Sequence, residues 1–199
     1  MEQIITVIYN CACVKANLVV FHDTDPVRVL LAFARCPNLD IRLLSKLTLS
    51  YLQSHVDRST IQSALKLHTD EIQFIVENLH NAVVENFTGS GYSAEELLQC
   101  AVNLSEITEN KSKLVNDTLF HTIDKLFGNS QLLQELSMQL LWNLRGGITL
   151  ETLKTSTPHI ISSLQHIENS SCLAHCTLSA LSEKEPQGWL ILLCTLLSL

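Results

Sequence analysis

The chain has 199 residues, of which 46% are hydrophobic and 17% are charged, a composition that is typical of a folded domain and excludes a disordered tail. Aromatic residues make up only 6%, and there are six Gly and four Pro, so the composition favours helices packed on helices over a β-sandwich or β-barrel. The formal net charge of −7, without a run of basic residues, argues against binding to nucleic acid.

The cysteines and the apolar segments indicate where the protein resides. Seven cysteines at irregular spacing, in a chain too large to need disulfide staples, predict reduced thiols and a location in the cytoplasm or the nucleus. Glu2, Asn10 and Lys15 do not fit a secretory signal. The longest apolar run, Trp189 to Leu199, would reach about 16 Å as a helix, roughly half of a bilayer core. We therefore expect no transmembrane span.

Helix-start signals follow one another along the chain. Pro26, at a first helical position, predicts a helix over 27–36. Ser, Thr and Asp residues ahead of apolar runs predict the later starts, because their side chains can accept hydrogen bonds from the first free backbone N–H groups. The predicted starts are Asp40 for 41–52, Asp70 for 71–84, a Ser93–Glu96 capping box for the helix at Leu97, and Thr157–Pro158 for 159–166.

A short pattern recurs inside these helices at intervals of about 40 residues. Its centres are Asn10, Tyr51, Asn103, Asn143 and Ala180, which are 41, 52, 40 and 37 residues apart. The step of 52 contains a loop-like insertion at 86–92. Apolar residues two positions before and one position after each centre predict a buried stripe. We therefore expect stacked repeats, each with a short, a middle and a longer third helix.

The repeat resembles the armadillo family. Residues 29–52 look like a second armadillo helix, its turn and its third helix, and residues 103–115 are similar to the family's passage into the next repeat. The resemblance, with the HEAT arrangement as the alternative, implies an all-α, right-handed superhelical solenoid. Residues 1–187 would hold about four repeats, the first lacking its first two helices, and 188–199 an apolar helix of an incomplete repeat. Because solenoids need caps at both ends, we expect a fragment or a shortened isoform of a larger protein.

The resemblance also implies a binding surface. In armadillo proteins an Asn of the third helix bonds the backbone of an extended peptide, and an amide suits that role because it both donates and accepts. The alternative is that each Asn ties a turn or faces solvent. The expected groove residues are Asn10, Asn103, Asn143, Gln99, Gln139 and Tyr51.

A departure from the family limits this surface. The importin-alpha-like Trp four residues before the Asn is replaced by Thr6, Gln99 and Gln139, so nuclear-signal binding by Trp stacking is not expected. We expect a protein-interaction scaffold or adaptor for a protein or peptide partner, similar to the armadillo regions of invertebrate multidomain signalling proteins.

An enzyme is the alternative. Cys172, His175 and Cys176 stand at i, i+3 and i+4 on a predicted helix, where they could hold zinc or could simply be packed. Gly146–Gly147 and Gly89–Gly91 lack the residues of a phosphate-binding loop and indicate turns. The sequence therefore favours a scaffold over a metal-dependent enzyme and predicts no catalytic residue, metal or cofactor.

Overall fold

The structure is a computed structural model that describes residues 2–18, 21, 26–53, 56–84, 92–148, 152, 155–160 and 162. Every regular element in these ranges is helical, so the described part of the chain is all-α. Its helices are α1 (Glu2–Cys13), α2 (Pro26–Phe33), α3 (Leu39–Leu52), α4 (Arg58–Ile61), α5 (Thr69–Val84), α6 (Ala94–Ser105), α7 (Thr108–Leu114), α8 (Asp117–Leu126) and α9 (Gln131–Leu144). None of these helices combines the length and apolar character needed to cross a membrane.

The start of α3 corrects the sequence prediction. Asn38, not Asp40, is the N-cap: its backbone is extended, and its side-chain oxygen accepts the N–H of Ile41 at 3.0 Å. The helix begins two residues earlier than predicted, at Leu39. Asp40 therefore lies inside the first turn, where its negative charge interacts favourably with the helix dipole. Because its backbone is already helical, Asp40 is not the N-cap.

Three other predicted starts are confirmed, whereas α5 begins at Thr69, so Asp70 lies inside its first turn and does not precede the helix. Pro26 is the first residue of α2, although that helix ends at Phe33 and not at residue 36. The capping box of α6 forms in both directions, with Ser93 accepting the N–H of Glu96 at 3.1 Å and Glu96 accepting the N–H of Ser93 at 2.9 Å. Residues 158–160 are helical from Pro158 onward, as predicted.

Four helices form a row in chain order. The helix α1 packs against α3, α3 against α6, and α6 against α9. We call α1, α3, α6 and α9 the helix row; they contain the predicted centres Asn10, Tyr51, Asn103 and Asn143. The helix α5 packs against α6 and α8, α8 against α9, and α2 against α3, which gives the row a second set of neighbours. The recurring pattern therefore predicted which helices become neighbours.

The expected apolar stripe is buried in three helices of the row. The pairs that follow the prediction are Leu49 with Leu52, Ala101 with Leu104, and Leu141 with Leu144. In α1 the prediction is wrong, because Ile8 is half-buried and Cys11 is exposed. Within the described residues α1 packs chiefly against α3, so one side of it faces solvent, and Val7 is 61% exposed.

A buried ion network joins α3 to α5. The carboxylate of Glu71 is 0% exposed and accepts from Lys46 Nζ at 2.7 Å, from Arg42 Nε at 2.8 Å and from the backbone N–H of His68 at 2.7 Å. Arg42 also pairs with Asp70 at 2.6 Å. Burial lowers the pKa of the Lys46 ammonium, and the bond to Glu71 opposes that shift.

A buried amide on α7 joins this helix to the segment that precedes α5 and to the end of α6. Asn110 Oδ1 accepts the N–H of Leu67 at 2.8 Å, and Nδ2 donates to the carbonyls of Leu65 at 2.9 Å and Leu104 at 3.0 Å. The side chain is fully buried. This buried amide therefore uses both of its polar atoms to bond three backbone groups.

Candidate partner-binding cleft

An open cleft of about 730 Å³ crosses the helix row. It is lined by residues from the ends of α1 and α3, from the length of α6 and from the start of α9. Glu96, Gln99, Asn103 and Glu106 follow one another at three- and four-residue intervals, so they lie on one face of α6 and form one wall of the cleft. Ten residues of helix separate the first from the last, which gives this wall a length of about 15 Å.

The cleft brings together three of the predicted groove residues, Tyr51, Gln99 and Asn103. Tyr51 is half-buried and its hydroxyl donates to the backbone carbonyl of Glu96 at 3.2 Å. Gln99 Nε2 donates to Asn103 Oδ1 at 2.9 Å. Burial raises the pKa of the Tyr51 hydroxyl far above its usual range, so the group remains a neutral donor.

The other predicted residues lie elsewhere. Asn10 on α1 and Gln139 on α9 are exposed, and neither lines the cleft. Asn143 is half-buried, and its Nδ2 donates to Ser105 Oγ at 2.8 Å and to the Val102 carbonyl at 3.3 Å. It therefore ties α9 to α6, which is neither of the roles expected from the sequence, and it does not line the cleft.

Gln53 is a cleft residue that the sequence did not indicate. Its Nε2 donates to the backbone carbonyl of Asn103 at 3.3 Å, while its Oε1 is buried and has no hydrogen-bond partner among the described residues. Gln53 stands two positions after the centre Tyr51, but Ser105 and Arg145 stand two positions after Asn103 and Asn143. No shared residue type marks this position, so the repeat pattern gave no signal for it.

A buried tyrosine that does not itself line the cleft packs against the cleft residue Tyr51. Tyr9 is 2% exposed, and its ring meets that of Tyr51 edge-on at a centroid distance of 6.2 Å. Its hydroxyl has no nitrogen or oxygen partner among the described residues and lies beside the thiols of Cys13 and Cys100. Burial raises the pKa of both thiols, that of Cys100 to about 12. These thiols are therefore neutral near pH 7, which argues against a nucleophilic role in the cleft.

The charge of the cleft is negative. Three carboxylates line it, those of Glu95, Glu96 and Glu106, and no basic side chain is present among the described residues that line it. Glu96 is engaged in the capping box, whereas Glu95 and Glu106 are exposed. Glu95 and Glu96 lie at the start of α6 and Glu106 at its end, so the negative charge is spread along this wall of the cleft.

Several predicted features lie outside the described residues. They include Cys172, His175 and Cys176, the centre Ala180, the insertion from residue 86 to residue 91, and the apolar helix over 188–199. Within the ranges that the structure describes, there is no group of three His, Cys, Asp or Glu side chains that could hold a metal ion.

Comparison of the chain with protein-family models, with curated proteins and with solved structures finds no match. The resemblance to armadillo repeats therefore stays a prediction from the sequence.

Proposed function

We propose that the chain is an armadillo-like α-solenoid that acts as a protein-interaction scaffold, with a partner peptide bound in the cleft across the helix row. The observation that carries this proposal is the meeting of Tyr51, Gln99 and Asn103 in one open cleft of about 730 Å³. The repeat pattern alone predicts all three as groove residues. A solenoid of this kind exposes a continuous surface along its stacked helices, which suits an extended partner.

The chemistry of the cleft supports a peptide over a small molecule. The cleft is open, with amide side chains at Gln53, Gln99 and Asn103 that can bond peptide N–H and C=O groups. Leu132 is 46% exposed at the same cleft and offers an apolar contact for a partner side chain. Right-handed superhelical stacking, a role in signalling and a location in the cytoplasm or the nucleus belong to the same proposal.

Site-specific photo-crosslinking in cells tests the proposal. A photoreactive amino acid replaces Gln99 in the cleft or, in a control, His121, which is exposed on α8 and does not line the cleft. We expect protein adducts at position 99 that mass spectrometry maps to a defined partner segment, and no such adducts at position 121. The additional change Tyr51→Ala should remove the adducts at position 99. Adducts that are the same at both positions, or none at position 99, would contradict the proposal.

A further inference from the structure

We propose that two copies of this chain pair through α1, whose exposed side carries four apolar side chains in a row. These side chains are Ile4, Val7, Cys11 and Val14, which we call the α1 stripe. The two α1 helices would lie antiparallel, with each stripe against the other. None of the four residues lines the cleft, so the inference goes beyond the proposed function and does not depend on it.

The α1 stripe is the main exposed apolar surface of the described residues. Five large apolar side chains are exposed there, and three of them belong to the stripe: Ile4 is 59% exposed, Val7 61% and Val14 50%. Ile4, Val7 and Cys11 lie on one face of α1, and Val14 continues it in the following turn, where its N–H bonds to the Cys11 carbonyl at 3.3 Å. Scattered apolar residues on a surface are ordinary, but a contiguous row indicates an interaction site.

The same face is buried in the other helices of the helix row. Each stripe residue in α1 has counterparts in α3, α6 and α9 at the same distance from the repeat centre. The counterparts of Ile4, Val7 and Cys11 are all 0% exposed: Ser45, Thr48 and Leu52 in α3, Leu97, Cys100 and Leu104 in α6, and Ser137, Leu140 and Leu144 in α9. The Cys100 thiol bonds to Ser50 and Tyr51 of α3, so this face of α6 meets the preceding helix of the row. The stripe is therefore the place where a row helix accepts another helix.

The spacing and the absence of charge point to a second copy as that helix. Apolar residues in steps of three and four follow positions a and d of a heptad, the pattern of helices that pair with like helices. Residues 3–14 contain no charged residue, although the chain carries a net charge of −7, so two stripes can meet without burying a charge. A two-fold axis makes the contact self-complementary, with Ile4 of each copy against Val14 of the other and Val7 against Cys11.

The charges at the two ends of α1 favour the antiparallel orientation. Glu2 precedes the stripe, and Lys15 follows it. An antiparallel pair joins the Glu2 end of each copy to the Lys15 end of the other, so opposite charges meet at both ends, whereas a parallel pair would join like charges. Because exposed ion pairs each contribute little, they decide the orientation more than the strength of the contact.

The contact would be small. Each copy contributes the four stripe residues and the exposed polar neighbours Gln3 and Asn10, which is fewer than the roughly 20–30 residues a side of a standard stable interface. We therefore expect a reversible dimer with a dissociation constant on the order of tens of micromolar, and a monomer in dilute solution.

Sedimentation velocity of the full chain tests the pairing, at protein concentrations from about 1 to 300 μM and with a reducing agent that excludes disulfides. The change Val7→Asp places a charge inside the contact and should abolish the dimer over this range. The matched control is Val29→Asp on α2, because Val29 is 49% exposed and lies outside the stripe; this variant should dimerise as wild type does. Thermal unfolding in dilute solution checks that both variants fold.

A mixing experiment tests the orientation. The variant Glu2→Lys has a positive charge at both ends of α1, and Lys15→Glu has a negative charge at both ends. Each variant alone should dimerise about fivefold more weakly than wild type, because like charges then meet at both ends. An equimolar mixture of the two should dimerise about as well as wild type, because every end joins opposite charges again. The mixture contains the same two chains, so a difference in their folding cannot produce this recovery.

Three results would overturn the inference. One is a chain that stays monomeric at the highest concentration. Another is a dimer that tolerates Val7→Asp as well as Val29→Asp, because the contact then lies elsewhere; loss of that dimer on removal of residues 189–199 would assign the contact to this apolar segment. A mixture of Glu2→Lys and Lys15→Glu that dimerises no better than either variant alone would exclude the antiparallel pair.

Discussion

Glu71 is an acidic side chain without solvent contact that is surrounded by donors. Lys46, Arg42 and the N–H of His68 all reach its two oxygens, and the first two come from another helix. Removing one member of such a set leaves the others buried and charged, which is much more unfavourable than the net contribution of the intact set is favourable. The network therefore fixes the relative position of α3 and α5.

The change Glu71→Gln should lower the free energy of unfolding by about 3–5 kcal/mol, because it removes the buried counter-charge of Lys46 and one of the two carboxylate partners of Arg42. Urea denaturation measures this difference. The control is Glu77→Gln on the same helix; Glu77 is exposed and accepts from Gln73 at 2.8 Å, so its loss should change the stability by less than about 0.5 kcal/mol. Similar losses in the two variants would contradict a special role of the network.

The sequence predicted side-chain contacts that are local and missed those that are distant. Ser93 and Glu96 lie three residues apart, so their capping box follows from the spacing alone. Glu71 lies 25 residues from Lys46 and 29 from Arg42, and no local pattern connects them. Their pairing is decided by how α3 packs near the start of α5, which a single sequence does not specify.

The first turn of α3 offers a test of helix capping. Asn38→Ala removes the side chain that accepts the N–H of Ile41 and should destabilise the protein by about 1 kcal/mol. Asp40→Ala removes only a favourable charge near the helix start and should cost about 0.3–1 kcal/mol, at the lower end in salt. Thermal unfolding of both variants in high salt compares them. A larger loss for Asp40→Ala would contradict the assignment of the cap.

Asn and Asp are both favourable N-cap residues, so residue type alone could not decide between Asn38 and Asp40 as the cap of α3. The decision is made by the backbone: Asn38 is extended, with φ −69° and ψ 122°, and Leu39 already belongs to the helix. A similar limit applies to the candidate site. The repeat pattern predicted the helix row, but equal register did not give equal surroundings to Asn10, Asn103 and Asn143. Only Asn103 lines the cleft, because the cleft follows one face of α6 and only the ends of the other row helices.

The packing of the row predicts an uneven stability along the chain. The helix α6 contacts α3, α5, α7 and α9, whereas α1 packs chiefly against α3. In a stacked array each unit is stabilised by its neighbours, so local opening should be easier in α1 than in α6.

Hydrogen–deuterium exchange with mass spectrometry on the full chain checks this expectation. Peptides from α6 should exchange most slowly and peptides from α1 measurably faster under native conditions. The variant Glu71→Gln should speed exchange in α3 and α5 more than in α9, because it acts where those two helices meet. Uniform exchange across α1 and α6 would indicate a single cooperative unit instead of a stack.

The Glu71 network crosses the boundary between two predicted repeats, since α3 closes one repeat and α5 belongs to the next. Asn110 on α7 also crosses such a boundary, because its side chain bonds backbone groups of the segment before α5. The predicted repeats are therefore not interchangeable modules. A chimera of this chain and a related one, joined between α3 and α4, would take Glu71 from one parent and Arg42 and Lys46 from the other. A chimera that keeps the network would have to exchange residues 42–71 as one block. The surface residues of that block would be exchanged with it.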